Sequence, residues 1–563
     1  MDETATKPTE TSSRKSNLKS VLDRLFGIDL RALACFRILL ALYILLDLGW
    51  RAVDLEAFYT DFGAFPVEAA LTFQYVSGPW VYLAPHMYVS SVAGAAILFA
   101  LHAAFAVMLL IGWKTRLATF LVWVMVLALQ ARNPLVLHSG DVYLRMMLFW
   151  SLFLPLGARY SVDGIAAHQV ARQLPLPVRA VSMGTTAILL QVVVMYWFTM
   201  LLKNSPEWRS QFSAVYYALS IEQYAQPLGQ VLREVRWLMP LLTIFTGLLE
   251  IVGPLMAFSP VATARIRIFV VASFFFFHLV ALNAMMNIGL FVYIAAIPWV
   301  LFLPAEFWDA VTVGWGRLPE NPIKGAIMRG RDAAIAWRSR KIAHHIHAGV
   351  PAPRLYLHPA IQGVVAYFIL HSLLINVRSL GPMGMPWAFK VPEPPTALTL
   401  LTRTDQNWAM FAPRPTVEDG WYVIPARTVR GHWVDLFRNG APLSWEKPSA
   451  VAISYSYPND RWCKFLMNLW GRVYSNYRVY YARYLDRQWH QNHSGPEALE
   501  QFQVYFMLKE TQPNYQPYKI VPKLLWAQQC TPVTAPGTSE QQRVQAMASN
   551  PSPQEERSTH GAD

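Results

Sequence analysis

The chain has 563 residues, of which 54% are apolar, 13% aromatic and only 15% charged, well below the roughly 25% charged residues of a soluble domain. A net charge of +13 would suit nucleic acid, but the placement of Lys and Arg described below marks membrane topology instead, and no nucleic-acid partner is expected. The three cysteines, Cys35, Cys463 and Cys530, form no CxxC pair, so a thioredoxin-like or zinc-ribbon reading has no support and no metal site is expected.

In chain order, residues 1–25 form a polar tail without the apolar core of a cleavable signal peptide. About nine windows then approach the ~20 apolar residues that a bilayer span needs. They run Ala32–Trp50, Ser91–Trp113, Leu117–Gln130, Val142–Leu156, Gly184–Leu202, Leu238–Phe258, Ile268–Leu282, Ile288–Leu303 and Leu357–Leu374, the third, fourth, seventh and eighth being short. Basic residues collect in alternate connections: Arg14, Lys15, Lys19 and Arg24; Lys114 and Arg116; Arg159, Arg172 and Arg179; Arg265 and Arg267; and a run from Arg317 to Arg354. Alternation of this kind places those connections and the N-terminus in the cytoplasm. The connection with Lys203, Arg209, Arg233 and Arg236 fits least well. An odd number of spans then puts the C-terminal region outside.

The expected fold is a polytopic α-helical membrane bundle of about nine transmembrane helices with a C-terminal soluble α+β domain. Its divisions are a tail at 1–25, a membrane domain at 26–308, a basic cytoplasmic loop at 309–355, a last span at 356–376, an exterior domain at 377–530 and a disordered tail at 531–563. Within the exterior domain, Trp421–Arg427, His432–Phe437 and Val451–Tyr457 read as strands, Asn439–Gly440 as a hairpin turn, and Arg461–Leu469 and Tyr474–Arg487 as helices. An oxidising exterior would permit a disulfide between Cys463 and Cys530, but sequence separation says nothing of geometry, and two unpaired thiols are the expectation.

Chemistry is sought among ionisable groups in the bundle, because a charge in a span is costly and has a partner or a function. Arg37, Asp47, Asp141, Arg145, Lys203, Glu250 and His278 qualify. The plain reading pairs them as internal salt bridges, Arg37 with Glu250 or Asp141 with Arg145. The topology adds that His138 and Asp141, Lys203, and His278 with Asn283 and Asn287 come from three connections on one side, as in a site built between helices. Lys203 is then either an interfacial anchor or a partly buried base.

The segment Tyr196-Trp-Phe-Thr-Met-Leu-Leu-Lys203-Asn-Ser-Pro-Glu-Trp208 resembles the stretch of vitamin K-dependent γ-carboxylases that holds the active-site lysine, with Leu202 where the animal enzymes have a second lysine. Further matches are Ala32–Arg37, Asn133–His138, Tyr160–Gly164, His278 and Asn287–Phe291, together covering about Phe26 to Trp308. The chain is thus similar to the horizontally transferred transmembrane (HTTM) domain shared by those carboxylases and many bacterial proteins. The resemblance implies a bacterial inner-membrane location and a lyase-type reaction in which a reduced naphthoquinone, deprotonated by lysine, drives carboxylation of a glutamyl side chain. It gives Lys203 the role of base and His138 that of a hydrogen-bonding partner near the quinone; the topology adds His278, Asn283, Asn287, Asp141 and Arg145 as binding residues and Arg37 and Glu250 as structural polar groups. The segment Gln406–Pro413 and its surroundings do not resemble the large lumenal region of the animal enzymes, so a glutamate-rich protein substrate does not follow. Membrane lipid, a quinone and an exterior protein or peptide are the expected partners. The alternative is a non-enzymatic membrane protein that binds lipid or quinone or scaffolds exterior partners.

Overall fold

The computed structural model describes residues 20–73, 77–165, 178–317 and 357–530, with isolated positions between 325 and 336. The tail up to residue 19, most of the basic loop at 309–355 and the tail at 531–563 lie outside the described residues.

Among the described residues, seven helices are long and apolar enough to cross a membrane, or eight if a bent pair counts as one span. They are α1 (Leu30–Ala52), α2 (Val92–Ile111), α3 (Thr115–Arg132), α5 (Met183–Leu202), α6 (Leu238–Met256), α7 (Thr263–Met285) and α10 (Pro359–Arg378). The bent pair is α8 (Phe291–Phe302) and α9 (Ala305–Trp315), which meet at 98°. The remaining apolar window folds as α4 (Ser139–Ser151). Thirteen residues rise only about 20 Å, short of the ~30 Å hydrocarbon layer. Nearly all of α4 is buried against its neighbours, so its apolarity reflects protein packing and not contact with lipid. By length and composition seven or eight of the nine windows qualify as spans; the fourth is short and buried, yet runs from the Val136 and Asp141 contacts with Arg461 to the Leu156 and Tyr160 contacts with Arg37 towards the other end of α1.

Local chemistry sets the helix ends. The side chains of Asp29, Ser91 and Ser182 accept hydrogen bonds from the first-turn amides of α1, α2 and α5. Helix α2 stops at Gly112, whose φ of +68° suits glycine. A Cβ there would also lie 2.7 Å from Arg37 Nη1, so the turn and the arginine are packed as one unit.

The C-terminal domain is built on an antiparallel sheet of β3 (Glu418–Val423), β4 (Pro425–Thr428), β5 (Trp433–Asp435), β6 (Ala441–Pro442), β7 (Leu499–Glu510) and β8 (Ile520–Gln529), β1 and β2 being the short ladder Ile28–Asp29 with Arg179–Ala180. Strand order is β3-β7-β4-β5-β6, with β8 on the free side of β7. The hairpin at Asn439–Gly440 forms as expected, both residues having positive φ between β5 and β6. Helices α11 (Asp460–Trp470) and α12 (Arg478–His490) also match expectation and pack on the sheet, Trp470 stacking on Phe506 at 4.9 Å. Val451–Tyr457 does not form a strand: Ser449 caps a short helix over Ala450–Ser454. The two longest strands, β7 and β8, were not anticipated. All three cysteines are free thiols, Cys463 and Cys530 being buried.

The sheet domain is not a separate body hung on the bundle. One hydrophobic core runs without a break from Ile28 to Cys530.

Candidate functional site

Lys203 is the residue that ends α5, its amide donating to Met200 O. Pro206 then opens a single helical turn, Pro206–Arg209, which folds Trp208 back so that Lys203 Nζ sits 4.3 Å from the centre of a Trp208 ring. The same amine lies 2.7 Å from Glu250 Oε2 on α6. Both members of this pair are buried, at 3% and 7% exposure.

The pair borders a cavity of about 180 Å³ whose walls are mostly apolar, among them Phe245, Phe277, Leu282, Phe291, Met410 and Phe411. Trp208 Nε1 donates to Phe411 O, so the C-terminal domain closes one wall. An apolar cavity of about 150 Å³ is enough for benzene, so this one of about 180 Å³ has room for a flat aromatic group. His278 also lines it. This residue sits in a π-helical stretch of α7, Phe276–Leu282, an irregularity often found at functional sites.

A chain of hydrogen bonds fixes the His278 ring. Trp299 Nε1 donates to the Tyr196 hydroxyl at 3.0 Å, and that hydroxyl lies 2.7 Å from His278 Nε2. An indole nitrogen only donates, so the tyrosine oxygen accepts from Trp299, and its proton is free to go to His278 Nε2. With Tyr196 donating to Nε2, and not to Ala295 O at 3.5 Å, the ring proton of a neutral His278 sits on Nδ1. That atom is buried and has no hydrogen-bond partner among the described residues. The cavity thus offers an ammonium–carboxylate pair, an imidazole donor and aromatic walls.

The expected site assembles only in part. Lys203 and His278 share the cavity; His138, Asp141, Arg145, Asn283 and Asn287 do not line it. His138 is the N-cap of α4: its Nδ1 accepts from Gly140 N at 3.0 Å, and its own amide donates to Asp141 Oδ2. Asn287 Oδ1 accepts from Gly289 N, and the Asn283 carbonyl accepts from Gln226 Nε2.

The proposed ion pairs are also exchanged. Glu250 pairs with Lys203 and not with Arg37, which instead donates to the carbonyls of Leu156 at 2.9 Å and Tyr160 at 2.5 Å. Arg37 is completely buried, as a charge in a span requires, and carbonyls of the connection between α4 and α5 supply its partners. Asp141 pairs with Arg51 at 2.5 Å and Arg461 at 2.6 Å and not with Arg145, which binds Asp405 at 2.6 Å. Arg461 also reaches Asp47 at 2.8 Å, so a guanidinium from α11 closes a cluster with α1 and α4. Burial alone would push the Asp141 carboxyl up, but the guanidiniums of Arg461 and Arg51 outweigh it and hold the group well below the usual carboxylate range. Burial pushes the His138 imidazole down, keeping it neutral.

Sequence reasoning passed over Tyr196, Trp208, Trp299 and the true partner of Lys203. Tyr196 had a signal: it precedes Lys203 by seven residues, two turns along one helix face.

Comparison with curated proteins returns no match, and neither does comparison with solved structures. The HTTM domain family matches residues 27–308, the stretch that carries Arg37, Lys203, Glu250 and His278. The chain is therefore an integral membrane protein that belongs to the HTTM domain family.

Proposed function

We propose that this protein is a carboxylase-like membrane enzyme in which Lys203 moves a proton to and from a ring-shaped, lipid-borne group held in the cavity. The observation that carries this reading is that buried Lys203 and buried His278, whose Nδ1 has no partner among the described residues, line one apolar cavity. A reduced naphthoquinone fits those residues by its chemistry: flat apolar rings for the aromatic walls, and oxygens for one amine and one imidazole N–H. The cavity suits the ring portion only, so an isoprenoid tail would lie outside it among the exposed apolar side chains of α6 and α7. When bound, the quinol supplies the redox chemistry that makes a strong base.

The chain's own residues then have separate tasks. The Lys203 ammonium first gives a proton to Glu250, to which it is hydrogen-bonded, and the neutral amine so formed accepts the ring hydroxyl's proton at Nζ. His278 holds an acceptor oxygen, with its tautomer set by Tyr196 and Trp299. The aromatic walls and the Met410–Phe411 segment keep water from the reacting atoms. The basic connections favour a cytoplasmic N-terminus and a C-terminal domain on the far side of a bacterial inner membrane.

One observation favours the second reading, a binding protein without turnover. Lys203 is locked in a close ion pair, as a structural lysine would be. Purified protein assayed with a reduced, tailless naphthoquinone, oxygen, a glutamyl peptide and labelled carbon dioxide, with quinol oxidation followed separately, distinguishes the two. Turnover lost in Lys203→Met/Glu250→Gln, with the fold kept, supports the enzyme. Ring binding without turnover in the native protein supports the binding protein.

A further inference from the structure

At the end of the bundle opposite the C-terminal domain, four arginines line one cavity of about 700 Å³: Arg24, Arg179 at the entry to α5, and Arg265 and Arg267 in the first turns of α7. Only two carboxylates, Asp23 and Glu306, share the lining. Among the described residues none of the four arginines is in an ion pair, although Arg31 at the same end of the bundle holds both Asp29 and Asp309. The inner pair is fixed by neutral groups. Arg179 Nη1 donates to Asp23 O at 3.4 Å, and Arg267 donates through Nε to Ala257 O and through Nη2 to Leu25 O. Carbonyl partners orient a guanidinium but do not cancel its charge. Four like charges in one concavity repel, and an anion is the group that turns the arrangement favourable.

We propose that this pocket binds the phosphate of an anionic phospholipid headgroup. Guanidinium groups from separate elements suit phosphate oxygens, which take several N–H donors at once. A membrane lipid is the source that the surroundings favour. Val261 and Phe269, beside the pocket on the α7 side, are 72% and 62% exposed, giving acyl chains an apolar track that leads away from the arginines. Basic pockets between membrane helices are a known setting for such headgroups. The site is remote from Lys203, and the inference stands whether or not the cavity there is catalytic.

The test uses full-length protein in detergent and native mass spectrometry, titrating phosphatidylglycerol, phosphatidylcholine and inorganic phosphate separately. Phosphatidylglycerol is expected to be retained in preference to phosphatidylcholine. Arg24→Gln with Arg265→Gln, both exposed and outside the carbonyl contacts above, should weaken that retention about fivefold per charge removed. The Lys versions of the same two positions should restore most of it. Thermal unfolding in the absence of lipid should not move in either double variant. Equal retention of phosphatidylcholine, an unaltered affinity in the Gln variant, or phosphate alone competing as well as the lipid would each overturn the proposal.

Discussion

Two buried ionic clusters in this protein are built from the same kinds of group and differ in what adjoins them. Lys203–Glu250 borders a cavity lined by aromatic side chains. Asp47, Arg51, Asp141 and Arg461 are packed solid between α1, α4 and α11, with Tyr59 and the Val136 carbonyl as further partners. In the second cluster two guanidiniums meet two carboxylates, and every charge is answered. That arrangement clamps the sheet domain to the bundle and leaves no room for a ligand. The first has one amine, one carboxylate and open space. Burial of charge is common to both clusters; the adjoining cavity is what sets Lys203–Glu250 apart.

Substitutions sharpen that contrast, and the largest effect belongs to the cavity. Loss of a positioned base costs about 10²- to 10⁴-fold in rate. Lys203→Ala should remove turnover on that scale, but it also strands the Glu250 carboxylate. Lys203→Met with Glu250→Gln removes both charges together, so a fall in kcat without a matching fall in thermal stability is the expected outcome.

Next is the clamp. Arg461→Ala leaves Asp47 and Asp141 short of a partner and should destabilise the protein by about 3–5 kcal/mol, while ring binding at the Lys203 cavity persists in the fraction that stays folded. Thermal unfolding and ligand binding measured on the same sample would expose the contrast as false if binding were lost first.

His138 offers a smaller effect and the sharpest separation of the two regions. As a helix cap, His138→Ala should cost about 1 kcal/mol of stability, and His138→Asn, whose side-chain oxygen replaces Nδ1 as the capping acceptor, should recover most of it. Neither should change affinity for a ring probe. A loss of affinity with stability intact would return His138 to the site.

The smallest effect is a pH dependence. Burial drives the imidazole of His86 down to about 4 and that of His138 down as well. Both are neutral in the folded protein near pH 6, while the unfolded chain takes up protons below about 6.5. Stability should therefore be full above pH 6.5 and fall as pH drops from there towards 4. A His86→Phe variant that melts at a pH-shifted midpoint identical to that of the native protein would rule out its share.

How much of this was legible in the sequence follows from range. Hydropathy located the spans because it is summed over a whole helix, and the Asn-Gly turn and α11 rest on adjacent residues. Helix α4 is where hydropathy decides least, because burial in protein and burial in lipid select the same side chains. The strands β7 and β8 lie beyond the runs that were read as β, although Leu499, Phe502, Val504 and Phe506 do face the core. Partner choice was the least legible. Asp141 finds Arg461 at a separation of 320 residues, and Glu250 turns to Lys203 because of how α5 and α6 are rotated, which no local pattern records. Lys203 and His278 were found because each is costly where it stands and each has to be answered by something nearby.

The central claim is that the cavity beside Lys203 holds a ring, and one map tests it most directly. A high-resolution cryo-electron microscopy reconstruction of the full chain, purified with a reduced naphthoquinone, should show planar density between the Lys203 amine and His278 Nδ1, within hydrogen-bond reach of both. A cavity collapsed onto its own side chains, or filled by an acyl chain with no polar atom near either nitrogen, would contradict the account.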